Sequence, residues 1–224
     1  MPGHDEDSVD ADEVDPAEVI GPPRSQIECA ERFLTQVEHE GPNLSPRETI
    51  VLFVSVARLR LTDWESVEIL WTPERRRKVH VARRELYLRF QAQMELHRTA
   101  LLDQLEAGIR ELIEHSSISL ERHEEIRRTF SEPWDANTSY EFLSEVIFPV
   151  DEIGYILELL RDLRTELREG TAALVKQLDR TLRVSLPDIA EEYRRGGDSI
   201  DPVGPELFPD SFWWRRLPGA KPIE

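Results

Sequence analysis

One cysteine, Cys29, stands among the 224 residues, so the chain cannot close an internal disulfide or build a cysteine-rich zinc site. A lone thiol in an amphipathic segment behaves first as a small hydrophobe. Glycine is scarce as well. The ten glycines never form Gly-x-x-x-x-Gly-Lys, Gly-x-Gly-x-x-Gly or Gly-x-Ser-x-Gly, which removes the phosphate loop, the dinucleotide turn and the nucleophile elbow. Long apolar runs are missing. The longest, Ile50 to Val54, falls far short of the roughly 20 residues that cross a bilayer. Met1 to Asp7 has neither the basic start nor the apolar core of a secretory signal, so a soluble, cytoplasmic protein without membrane contact is expected.

Metal and catalytic signatures are equally thin. Three residues before His80, His97, His115 and His123 stand Arg77, Met94, Leu112 and Leu120, where a di-iron bundle needs glutamate. No His-Glu-x-x-His occurs. Pairs such as Glu111 and Glu114, or Glu121 with Glu124 and Glu125, share a helix side. With 45 acids in the chain such pairs arise by number alone. No catalytic residue, cofactor or metal is expected.

Charge is what the chain has in excess. Its 45 acidic side chains outweigh 28 basic ones, a formal −17, and residues 1–24 hold eight acids against Arg24 alone. Self-repulsion and few large apolar groups mark 1–24 as a disordered acidic arm. Such acidity disfavours general nucleic-acid coating, which needs a positive surface. One region runs the other way: Arg75, Arg76, Arg77, Lys78, Arg83 and Arg84 concentrate at a helix start. Cations there oppose the helix dipole, so the cluster reads either as a solvated face paired with the chain's own acids or as an anion-binding surface.

The prolines divide the chain. None lies between 74 and 132 or between 150 and 186, and two long helices are expected there, at about 73–115 and 150–184. In the first, Val79, Ala82, Leu86, Phe90, Met94, His97, Leu101, Leu105, Ile109 and Leu112 step by a mean of about 3.67 residues, the period of a nearly straight helix. His97 within that stripe reads as a hydrogen-bonded residue that specifies register. In the second, Ile153, Ile156, Leu160, Leu163, Leu167, Gly170 and Leu174 form a heptad seam.

Shorter helices flank these. One follows Ser25 as far as Gly41-Pro42. A second follows the capping box Ser45-Pro46-Arg47-Glu48, although its β-branched residues would also suit a strand. A third spans Thr62 to Trp71. Others follow Ser119, Thr138 and Ser185. The expected fold is all-α: a long antiparallel, coiled-coil-like helical hairpin with shorter helices packed at its ends. The helical domain is 25–197, and 198–224 is a proline- and aromatic-rich docking tail.

That tail carries Leu207, Phe208, Phe212, Trp213, Trp214, Arg215 and Arg216, a set that either completes the chain's own core or binds a partner. The function expected is a non-enzymatic adaptor, scaffold or assembly protein, acting on a protein partner or on itself through helix faces and the tail. The alternative is a nucleic-acid-associated regulator that uses 75–84, with the acidic arm as internal competitor.

Overall fold

The computed structural model describes residues 23–61, 72–129, 136–196 and 211–216, and no strand occurs among them. The acidic arm over 1–22, the helix expected at 62–71, residue 197, and tail residues 198–210 and 217–224 lie outside the described residues.

Helix α1 (Pro23–Glu40) starts at Pro23, two residues ahead of Ser25, since the fixed φ of proline suits a first helical position. It buries Ala30, Phe33, Leu34 and Val37. Helix α2 (Pro46–Leu61) begins at the capping box. The Ser45 N–H donates to Glu48 Oε2 at 2.8 Å, and the Glu48 N–H donates to Ser45 Oγ at 3.3 Å. These bonds hold the Glu48 carboxyl below its ordinary pKa of 4.5. The cap decides helix over strand. Ile50, Leu52, Phe53, Val54, Val56, Ala57 and Leu59 are then all buried, which makes α2 a central helix.

Helix α3 (Pro73–Thr129) runs past the expected end at His115 and takes in Ser116 and Ser119, both buried. It is not straight. His97 leaves helical geometry at φ −122° and ψ 23°, so the register-setting role expected of it is replaced by a kink. Packing against α2 supplies the reason. Phe53 meets Phe90 edge to face at 5.0 Å, and Ile50 lies against Gly108. Phe90 and Gly108 would be about 27 Å apart on a straight helix, too far for residues one turn apart on α2 to reach both. A Cβ on Gly108 would come within 2.6 Å of Ile50 Cγ1 and 2.8 Å of the Pro46 carbonyl oxygen, so glycine permits the contact.

The expected helix at 150–184 is two helices. After α4 (Ala136–Phe142) and a π-helical turn (Leu143–Ile147), α5 covers Phe148–Asp162 and α6 covers Glu169–Gly196. Arg164 adopts φ +51° between them. The Arg164 N–H donates to the Arg161 carbonyl at 3.1 Å and the Thr165 N–H to the Leu160 carbonyl at 2.9 Å, the bond pair that closes a Schellman motif. The seam ends with it: Ile153, Ile156 and Leu160 are buried, Gly170 faces open space and Leu174 is exposed.

The break also changes the hairpin. Tyr87 bonds Asp162 and Arg122 bonds Glu145, so α5 and the turn before it run opposite to α3. Arg110 meets Thr171, Glu124 meets Ser185 and Arg127 meets Asp188, so α6 runs parallel to the second half of α3. The arrangement is up, down, up, rather than two long antiparallel arms.

Candidate functional site

Helices α5 and α6 lie side by side in opposite directions and leave a trough between them. Two hollows of about 340 Å³ and 560 Å³ make it up, and Leu157, Arg161, Val175 and Lys176 line both. One end is floored by Val150, Ile153, Gly154, Leu178 and Leu182, the other by Leu160, Leu167 and Ala172.

The tail covers the first end. Phe212 is fully buried against Gly154 and Tyr155, its ring 5.0 Å from the tyrosine ring. Burying such a side chain stabilises by about 2–3 kcal/mol. A Cβ on Gly154 would approach Phe212 Cζ to 2.6 Å, so this glycine is the notch that admits the ring. Asp151, in the first turn of α5 and 2% exposed, accepts from Trp214 Nε1 at 2.8 Å and from the Arg215 guanidinium on both its oxygens. Trp213 Nε1 donates to Asp179 at 2.7 Å, and Arg183 stacks over the Trp213 ring at 4.4 Å.

Phe212, Trp213, Trp214 and Arg215, expected as partner contacts, are therefore engaged with the chain's own helices. Their apolar area and one buried guanidinium find an apolar notch and a carboxylate within reach. Leu207, Phe208 and the Arg216 side chain lie outside the described residues.

No described segment lies on the second end, and cations outnumber carboxylates among the described residues that line it. Arg161 pairs with Glu158, whereas Arg164 and Lys176 form no ion pair among the described residues and stand exposed at the rim, where Glu166 is the one carboxylate. The start of α6 is fixed from below by Glu106 of α3, itself 2% exposed. It accepts from the Arg168 N–H at 2.7 Å and from Thr171 Oγ1 at 3.2 Å. A carboxylate at a helix N-terminus satisfies free N–H groups and complements the dipole.

The expected anion-binding set is divided. Arg83 and Arg84 line a separate hollow beside α2, while Arg77 and Lys78 are exposed and Lys78 pairs with Glu74. The Arg75 and Arg76 side chains lie outside the described residues. Among the described residues, no group of three or more His, Cys, Asp or Glu is placed to hold a metal, and no helix is long and apolar enough to cross a membrane.

Sequence reasoning missed Asp151, Gly154 and Glu106. Gly154 alone left a signal, a glycine inside a helical pattern away from its ends. No protein-family model, no curated protein and no solved structure matches the chain.

Proposed function

We propose that this protein is a non-enzymatic helical adaptor whose trough between α5 and α6 receives an acidic, amphipathic segment of a protein partner. One observation supports the reading: the second end joins an apolar floor of Leu157, Leu160, Leu167 and Val175 to a rim on which Arg161, Arg164 and Lys176 outnumber the single carboxylate, Glu166, and on which Arg164 and Lys176 form no ion pair among the described residues. The apolar floor supplies affinity by area, and the rim selects the sign of the flanking charges. The chain's −17 repels an acidic partner at long range. Beyond about 8 Å that field is screened at physiological salt, so the local rim decides close docking.

Two 18-residue peptides test the reading on the full chain, one with leucines on a single face and glutamates flanking it, the other with lysines in their place. The acidic peptide is expected to saturate, to weaken with salt, and to lose about tenfold in affinity with Arg164→Glu and Lys176→Glu together. Equal binding of both peptides, or affinity unmoved by the double reversal, overturns it.

A further inference from the structure

A second hollow, of about 340 Å³, lies where the C-terminal end of α2 meets the first half of α3, and it shares no residue with the trough. Four of its lining side chains are basic: Arg60, His80, Arg83 and Arg84. Among the described residues no carboxylate lines it.

Part of the positive charge serves the fold. Arg83 Nε donates to the Leu59 carbonyl at 2.6 Å, satisfying one of the carbonyls that the end of α2 leaves open. Arg60 stacks over Tyr87 at 5.3 Å and lies 3.5 Å from Asp162. Arg84 and His80 have no such employment. Both are exposed, and neither makes a hydrogen bond or ion pair among the described residues. The wall beside them is apolar and aromatic, built from Leu88 and from Tyr87, whose hydroxyl donates to Asp162 and so fixes its ring.

We propose that this hollow binds a small phosphate monoester carried on an aromatic ring. The Arg84 guanidinium and the His80 imidazole, one helical turn apart with Arg60 and Arg83 beside them, match a dianion with several acceptor oxygens better than they match a single carboxylate. The ring is placed by Tyr87 and Leu88. The volume sits at the lower end of the range for small-molecule sites, about 300–1,000 Å³, which fits one aromatic phosphate and excludes a polymer read along its length.

Phenyl phosphate, inorganic phosphate and phenol, each titrated calorimetrically into the full-length protein at low salt, test this. Phenyl phosphate is expected to saturate, with inorganic phosphate and phenol each at least tenfold weaker. Arg84→Gln and His80→Gln, both at exposed positions, should each weaken phenyl phosphate at least fivefold. Arg128→Gln, far along α3 and paired with Glu124, should leave it unchanged. Inorganic phosphate binding as tightly as phenyl phosphate would mean an adventitious anion only. That result, the absence of saturation, or equal loss in Arg128→Gln would each overturn the site.

Discussion

The two ends of the trough are built on the same pair of helices and differ in what covers them. At one end Phe212 fills the notch at Gly154 and Arg215 pairs with Asp151. At the other the floor is equally apolar, but no described segment lies on it, and Arg161, Arg164 and Lys176 stand there against the single carboxylate Glu166. The covered end shows how these helices accept a segment: an aromatic side chain for the floor and one charge opposite to the rim. The bare end keeps the first requirement and inverts the second. A segment that fits there needs carboxylates where the tail brings arginine.

Asp151→Ala should give the largest effect. Keeping Arg215 buried without its carboxylate would cost about 3–5 kcal/mol. The tail has an alternative, since leaving the notch returns the guanidinium to water. The expected outcome is therefore loss of protection from hydrogen exchange at Trp213 and Arg215, with a stability loss limited to what tail docking contributes. Gly154→Val should reproduce it by filling the notch directly. Retained protection in both variants would sink the account of the covered end. Binding of the acidic peptide should survive in both, because the bare end owes nothing to Asp151.

Glu106→Ala targets the other end. It leaves the Arg168 N–H and Thr171 hydroxyl without their acceptor, a stability loss of about 1–3 kcal/mol that shows as a lower urea midpoint at unchanged slope. The start of α6 should loosen while the tail, clamped further along at Asp179 and Asp151, stays docked. If tail protection falls before the α6 start does, the two ends are not separable.

Arg164→Gly is smaller and of opposite sign for stability. An L-residue in the left-handed region is strained by about 1 kcal/mol, which glycine removes at the cost of some unfolded-chain entropy. Thermal stability should rise by a few degrees while affinity for the acidic peptide falls by several-fold, since the same substitution deletes a rim cation. A variant that is stabilised and still binds the peptide normally would remove Arg164 from the rim.

How much of this was legible depends on whether the determining groups are neighbours in sequence. The Ser45-to-Glu48 box is local, and it correctly made a helix of a β-branched segment. The apolar stripe in α3 located Leu86, Phe90, Leu101, Leu105 and Ile109, all buried. The kink at His97 was invisible because α2 imposes it from outside. The break after Asp162 was hidden by an apparently unbroken heptad. Arginine is a poor advertisement for a left-handed cap, and the cap of α6 comes from Glu106, more than sixty residues upstream. The tail's aromatics were visible, but their partner Asp151 looked like one more acid among 45.

The smallest effect is a pH dependence that should leave both ends alone. His123 is fully buried under α4, 5.3 Å from the Phe142 ring, with Nδ1 2.7 Å from the Ser119 carbonyl oxygen. Burial pushes its pKa below the ordinary 6.5, opposed by the Ser119 carbonyl and assisted by Arg122. As pH falls through 6.5 the unfolded chain takes up this proton before the folded one does. The contribution is therefore complete above 6.5 and is lost progressively as pH drops toward the folded value. Glu38, held below 4.5 by its bond to Arg89, begins to lose its own contribution only as pH falls through 4.5, so the His123 decline starts first. Urea midpoints should decline just below pH 6.5 in the parent and hold level there in His123→Gln. No histidine lines the trough among the described residues, so tail protection and acidic-peptide affinity should stay constant across that window. A slope that persists in His123→Gln, or a tail that undocks along it, would place the titrating group elsewhere.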